Sequence, residues 1–324
     1  MFVSVTIQTY NNAAILAGAL ESLRSLRCPE NVEYEILVVD NNCTDGTAEV
    51  LRRYSDLLSP RFRSVRESKQ GLCHARNCAL AEAGGDIVSF VDEDVIVDPN
   101  WLCAVSAAFA KHSASVVGGR SYLLYPESLG RPEWLPVELE TMYSRLDHGP
   151  ETLVGTDKDL YGLNFSVLKR VALEVGGFNP LFSRSVGNLL TGDEADLLSR
   201  VRQIGGIVVY EPAAVVGHRV PASRLTKEWV LARARCGAVS AERLLRTQGK
   251  QSKGVGSLLI HALRCWGSVG RARLLRGVTP QEFFDRQYSA AVSWGRFMGA
   301  LSASPKPERP VASAGVLSAK GSGG

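Results

Sequence analysis

The run Val88-Ser89-Phe90-Val91-Asp92-Glu93-Asp94 constrains the fold of this chain more than any other stretch. A mainly apolar strand ends abruptly in three consecutive acids. Ionised carboxylates are costly to bury, so these acids do not suit a strand interior. They do suit the carboxyl end of a parallel strand, where open α/β sheets bind ligands. Asp92 and Asp94 stand one residue apart and can hold a hard divalent cation against a diphosphate. Mg²⁺ is usually bound that way, by one or two carboxylates plus substrate phosphates. The competing reading is an acidic triplet on a solvated turn.

The pattern around the triplet favours the sheet. Phe2–Thr9 is a β-rich run that exits through Thr9-Tyr10-Asn11-Asn12. Ala13–Leu26 then places Leu16, Leu20 and Leu23 on one helical face, with Asn11 or Asn12 as N-cap. Tyr34–Val39 is apolar but for Glu35, as a strand covered on both faces should be, and exits into Asp40 and the turn-rich Asn41–Gly46. Thr47–Leu58 reads as a helix, Arg63–Arg66 as a short strand and His74–Ala83 as a third helix. Gly84-Gly85 breaks that helix before the strand Asp86–Val91. Alternation of this kind predicts an α/β fold with a mostly parallel sheet flanked by helices. Thr9, Asp40, Asp92 and Asp94 then gather along one sheet edge.

Four ordered segments resemble family 2 glycosyltransferases of the GT-A fold. They are VSVTIQTYNN, ILVVDNNCTDGT, GLCHARNCALAEAGGDIVSFVDEDV and TGDEADLLSRVRQIGGIVVYEPAAVVGH. The resemblance covers roughly residues 2–220. It implies a nucleotide-sugar donor, Mg²⁺ or Mn²⁺, and inversion at the anomeric carbon. By position it puts Thr9, Tyr10 and Asn11 against the nucleotide. Asp40 is placed to accept from a uracil ring N–H, an Asx-turn being the alternative. Arg76 falls near the base or the diphosphate, or else is a surface helix charge. Asp94 is expected to ligate the metal, with Asp92 on the ribose or a metal-bound water. Glu93 shares this donor-binding stretch, although alternation in an extended run turns it away. His218, ending the apolar run Ala213–Gly217, matches a third metal ligand or is a capped, solvated histidine. Asn164 matches a segment lining the acceptor site, or is a strand-end turn residue.

The second acidic cluster, Gly192-Asp193-Glu194-Ala195-Asp196-Leu197, departs from the family pattern. The usual order is Glu then Asp, and here it is Asp193 then Glu194. Glu194 stands in the place of the catalytic base, which takes the acceptor hydroxyl's proton. Asp193 could do that work instead, with Glu194 on the sugar. Both acids also suit a helix N-terminus, whose dipole favours negative charge.

Of 324 residues, the first 218 hold 19 Lys and Arg against 28 Asp and Glu, whereas residues 219–300 hold 15 against 4. The expected organisation is a catalytic domain over residues 1–220, with a nucleotide-binding half to 120 and an acceptor half from 121. A basic helical appendage follows over 221–301, and a disordered tail over 302–324. The basic segment suggests an anionic partner. Ser257–Arg276 mixes leucines and Trp266 with four arginines and is too interrupted to span a bilayer. It could lie on an anionic membrane or pack on the catalytic domain. No nucleic-acid motif is present, and no nucleic-acid partner is expected. Seven scattered cysteines without a Cys-x-x-Cys argue for a reducing compartment, and Phe2–Thr9 enters the fold directly, so a cytoplasmic enzyme at a membrane face is expected. The acceptor is a glycan or a lipid-linked glycan.

Other chemistries fit less well. A sugar nucleotidyltransferase should carry a Gly-rich basic loop after the first strand, and a dehydrogenase G-x-G-x-x-G. This chain has TYNNAA there. A non-catalytic nucleotide-sugar-binding or scaffold protein should lack the second acidic pair, which is present. The irregular segments Tyr122–Pro150, with Trp134, and Phe182–Leu190, with Arg184, are the expected specificity loops.

Overall fold

The computed structural model describes residues 1–184, 187–250, 254–274 and 277–302. The first half alternates strand and helix: β1 (Phe2–Thr9), α1 (Ala13–Arg24), β2 (Glu33–Asp40), α2 (Thr47–Leu58), β3 (Phe62–Arg66), α3 (Leu72–Glu82) and β4 (Ile87–Asp92). These four strands are parallel, in the order β3-β2-β1-β4. Both faces of β1 are covered, which explains why its small polar residues Ser4 and Thr6 are as inaccessible as Val3, Val5 and Ile7. On one face, Leu16, Leu20 and Leu23 of α1 share a core with Val5, Ile36, Val38 and Ile87. On the other, Cys73, Ala79 and Leu80 of α3 pack with Leu37, Val88 and Phe90.

Beyond β4 the sheet becomes mixed. The later elements are β5 (Val95–Val97), α4 (Trp101–His112), β6 (Val116–Leu124), β7 (Leu153–Val154), β8 (Asn164–Leu168), α5 (Lys169–Glu174), α6 (Asp193–Gln203) and β9 (Val208–Arg219). β8 runs antiparallel to β4 and β6, β9 parallel to β6, and β5 and β7 antiparallel to β9. The parallel pattern therefore holds for β1 to β4, and the later strands, beginning with β5, add antiparallel pairings.

Asn164 is a correction to the sequence reading. Its side chain faces the interior, not a cavity wall: it is buried at the first position of β8, where its amide ties four elements together. Its Oδ1 accepts from Trp101 Nε1 at 2.8 Å, and its Nδ2 donates to the Arg120 and Ala214 carbonyls at 3.1 and 2.8 Å. Gly119 makes the close approach possible, since a Cβ there would lie 1.9 Å from the Ala214 oxygen.

Three helices follow: α7 (Lys227–Thr247), α8 (Val255–Leu274) and α9 (Pro280–Leu301). They are joined to the irregular segment after β6 through a separate apolar cluster of Leu135, Tyr143, Val230 and Phe284. Trp134 packs edge-on to Phe284, ring centroids 5.5 Å apart. Apart from Ser302, the tail expected to be disordered lies outside the described residues, as do Leu275 and Arg276 at the end of the basic stretch.

Asn164→Leu fills similar space but leaves the Trp101 N–H without its partner and takes a donor away from two carbonyls. It is expected to cost about 3 kcal/mol, given about 1–3 kcal/mol for each buried group left unsatisfied, measured by urea denaturation.

Candidate active site

The parallel register places Thr9 opposite Asp40, and Gln8 opposite Asp92, so three strand exits share one edge. After Asp92 the chain turns tightly through Glu93 and Asp94 into β5. β5 pairs with β9 so that Val95 faces His218, and this brings Asp94 to the histidine. Asp94 Oδ2 lies 3.3 Å from His218 Nε2 and 3.5 Å from Arg224. His218 Nδ1 lies 2.7 Å from the Tyr143 carbonyl oxygen and donates to it, which fixes the ring and turns Nε2 toward Asp94. Burial opposes ionisation of Asp94, but the hydrogen bond and charge of His218, with Arg224, hold its carboxyl below the usual range.

Because Glu93 and Asp94 form a turn, strand alternation does not govern them. Glu93 is not turned away. It reaches back to the β1 exit, accepting from the Tyr10 N–H at 3.2 Å and from Asn12 Nδ2 at 2.9 Å. Burial, aided by Asp94, pushes its carboxyl up to about 7. Asn12 is the N-cap of α1 by position, yet its side chain makes no cap bond; Asp45 instead accepts from the Ala13 N–H at 3.0 Å. Asn11 Oδ1 accepts from the Thr44 N–H at 2.7 Å and so braces the loop after β2. Asp40 Oδ1 accepts from the Cys43 N–H, three residues on, at 2.7 Å, which leaves Oδ2 3.8 Å from Arg66.

Arg76, on α3, is the largest departure from a surface charge. It is 1% exposed and unites the two acidic clusters. It contacts Asp193 through a short ion pair, Glu194 at 3.0 Å and Asp92 at 3.4 Å. Its ring neighbours are Phe90 and Phe178, the latter 5.3 Å from the guanidinium. Burial disfavours its charge, but three carboxylates outweigh that and raise its pKa. The acids respond in opposite directions. Burial and the Glu194 charge push Asp193 up to about 7. Burial also opposes the Glu194 charge, yet Arg76 and Asp193 hold its carboxyl well below the ordinary range. Gly162 makes this contact possible: its N–H donates to Glu194 at 3.0 Å, and a Cβ would lie 2.1 Å from both Arg76 and Glu194.

Two adjoining cavities open here. The outer, about 280 Å³, is walled by Gln8, Thr9, Tyr10, Asn41, Gly71 and Glu93. The inner, about 420 Å³, is walled by Arg76, Gly162, Glu194, His218, Trp229 and Arg233. Asp92, Asp94, Arg184 and Arg224 border both. Asp40 and Asp193 wall neither cavity, and Asp193 is 4% exposed. Gln8 Oε1, Thr9 Oγ1 and Asp94 Oδ1 are buried without a protein hydrogen-bond partner.

Asp94 Oδ1 and the fixed His218 imidazole are a donor set that fits a divalent cation completed by phosphate oxygens. Among the described residues, no three His, Cys, Asp or Glu side chains form a ready-made cage. Asp92 in particular faces Arg76. Arg224 and Arg233 are site residues that sequence reasoning does not reach. Arg233 donates to the Leu189 carbonyl at 2.9 Å, and burial, with the nearby charges of Arg184 and Arg224, lowers its pKa to about 9. Arg233 sits on α7, in the segment expected to be an appendage, and only the tertiary packing of that helix brings it to the cavity. Tyr143 and Trp229 stack beside it, centroids 4.9 Å apart.

The glycosyl transferase family 2 model matches residues 4–171. The chain belongs to that family and is a glycosyltransferase. It is 33% identical over 125 residues to glycosyltransferase AglE of Haloferax volcanii, spanning 39% of this chain and 41% of AglE. It is 24% identical to the glucosyl-dolichyl phosphate glucuronosyltransferase of the same organism, over 72% of this chain and 74% of that protein. Among solved structures, the mannosyltransferase PcManGT from Pyrobaculum calidifontis, in complex with GDP-Man and Mn²⁺, superposes over 92% of this chain and 85% of that one. The TM-score is 0.57 at 18% identity. Staphylococcus aureus TarS 1–349 with UDP covers 91% and 89%, with TM-score 0.52 at 17% identity. These similarities show the GT-A fold.

Removing the guanidinium with Arg76→Met should cost about 3–5 kcal/mol, because it strands buried carboxylates. The loss should depend on pH. Without Arg76 the folded pKa of Glu194 rises above its unfolded value near 4, and those of Asp193 and Asp92, already raised by burial, rise further. Stability is then retained below about pH 4 and lost as pH rises through the folded values. Denaturation at pH 5 and pH 8 should show the larger deficit at pH 8.

Proposed function

We propose that the chain transfers a sugar from a nucleotide diphosphate donor to a hydroxyl of a glycan or lipid-linked acceptor, with inversion and with Mg²⁺ or Mn²⁺. The observation that carries this reading is the continuity of the two cavities through Asp92, Asp94, Arg184 and Arg224. The nucleotide occupies the outer cavity, where Thr9 and Gln8 offer unpaired polar atoms. UDP is the proposed donor nucleotide. The diphosphate lies at the shared border, and the sugar enters the inner cavity beside Glu194.

Asp94 and His218 would hold the cation, which supplies Lewis-acid neutralisation of charge on the leaving diphosphate. Arg184 and Arg224 border the same position and add fixed positive charge there. Glu194 takes the proton of the acceptor hydroxyl as its oxygen bonds to the anomeric carbon. The bond from that carbon to the diphosphate oxygen breaks, and its electron pair leaves with the diphosphate. Between the two acids, geometry favours Glu194: it walls the cavity, whereas Asp193 is buried against Arg76. The extra methylene of Glu194 compensates for a carboxylate anchored by Arg76 and the Gly162 N–H. Asp193 holds Arg76 rather than the donor sugar. We place this enzyme in the cytoplasm at a membrane face, where it would meet a lipid-linked acceptor. Among the described residues, no helix is long and apolar enough to cross a membrane.

Glu194→Gln keeps the shape and removes the proton acceptor. Turnover should fall by roughly 10²–10⁴-fold while donor affinity barely changes. Near-normal turnover in this variant, with Asp193→Asn inactive but still binding donor, would exchange the two roles. Asp94→Asn should leave the fold intact and abolish the Mn²⁺-dependent part of UDP binding in calorimetry; unchanged metal dependence would remove Asp94 from the cation site.

A further inference from the structure

The C-terminal helices carry a feature that the transfer reaction does not use. α8 contains no Asp or Glu. Leu258, Ala262, Val269 and Ala272 recur at helical spacing and are buried. The opposite side carries Ile260, Leu263 and Trp266, which are 54%, 57% and 51% exposed. At about 100° per residue these three span an arc of about 120°. Arg264 and Arg271 border one side of that arc and Arg273 the other, and all three are exposed. Large apolar side chains between arginines, facing away from the protein, form the arrangement by which a helix lies in a lipid interface.

Beside this face a groove of about 530 Å³ runs between α8 and α9. Ser257, His261 and Arg264 of α8 and Ser293 and Arg296 of α9 line it, with Ile260 at its edge. Among the described residues, neither Arg264 nor Arg296 pairs with a carboxylate. Two guanidiniums, an imidazole and two hydroxyls in one groove are donors matched to a phosphate.

We propose that α8 docks flat on a membrane carrying anionic phospholipid, with a lipid phosphate headgroup seated in the groove between α8 and α9. The uncompensated positive charge selects the anionic leaflet, and Ile260, Leu263 and Trp266 enter the acyl boundary. The proposal rests on the reading of a membrane-face enzyme for its location alone, and on neither the donor nor the acceptor. α8 connects to the catalytic cavity through α9 and α7, because Phe284 of α9 and Val230 of α7 share one core.

The test is sedimentation of the full chain with phosphatidylcholine vesicles and with mixed phosphatidylglycerol–phosphatidylcholine vesicles. Binding should need the anionic lipid and weaken with salt, as exposed charges are screened within about 10 Å at 0.1 M. The double variant Leu263→Asp/Trp266→Ser and the double variant Arg264→Glu/Arg296→Glu should each lose vesicle binding by at least about tenfold, the scale of a few interfacial contacts. Both should keep wild-type turnover on a soluble acceptor. Binding by the wild type to neither vesicle, or equal sedimentation of all variants, would overturn the proposal. So would a wild-type dimer that Leu263→Asp/Trp266→Ser turns into a monomer, since the face would then join two copies. Saturation of the groove by inorganic phosphate without any vesicle binding would likewise overturn it, as a free-anion site. Vesicle binding by a chain inactive with every nucleotide sugar would support the surface and overturn only the transferase reading.

Discussion

The buried guanidinium of Arg76 is the interaction on which the site depends. It draws carboxylates from two distant segments, Asp92 after β4 and the Asp193–Glu194 pair at the start of α6, to one point behind the cavity. Three carboxylates packed there without a cation would be driven to protonate or to swing apart. With Arg76 among them, Glu194 stays ionised at the cavity wall, and Asp193 absorbs the penalty of burial instead. Gly162 leaves room for the contact, and the Phe90 and Phe178 rings hold the guanidinium in place. Reversal of the usual acid order fits this arrangement. The first acid of the pair anchors the arginine, and the longer second acid reaches the cavity.

Much of this is legible in the sequence because it is local. The strand exits at Thr9, Asp40 and Asp92, and helices α1 to α3, follow from apolar period and turn residues. α2 spans the residues expected for it, and α1 and α3 differ by only a few at their ends. What the sequence does not show is orientation. Alternation turns Glu93 away from the site, but a tight turn sends it back to Tyr10 and Asn12. Asn164 resembles a site residue, and its short polar side chain instead satisfies a buried N–H and two carbonyls where four elements meet. Arg76 carries no local mark of burial, because its partners lie 16, 117 and 118 residues away.

The C-terminal helices show the same limit. Their basic charge is plain from composition, yet Arg233 and Trp229 reach the cavity only because α7 packs over the segment containing Tyr143. Acidic cavity walls and arginines from later in the chain therefore meet at one border, where Arg184 and Arg224 flank Asp92 and Asp94. For the proposed reaction, such a border would balance the charge of a diphosphate, with Glu194 at the wall of the inner cavity. α8, farther along, carries arginines that border neither cavity.

The most direct measurement is a crystal structure of the chain with UDP and Mn²⁺. The account predicts the nucleotide in the outer cavity, the diphosphate at the border beside Arg184 and Arg224, and Mn²⁺ on Asp94 and His218. It also predicts Arg76 still bound to Asp193, with the Glu194 carboxylate open to the inner cavity. UDP bound elsewhere, or Mn²⁺ held by residues other than Asp94 and His218, would contradict it.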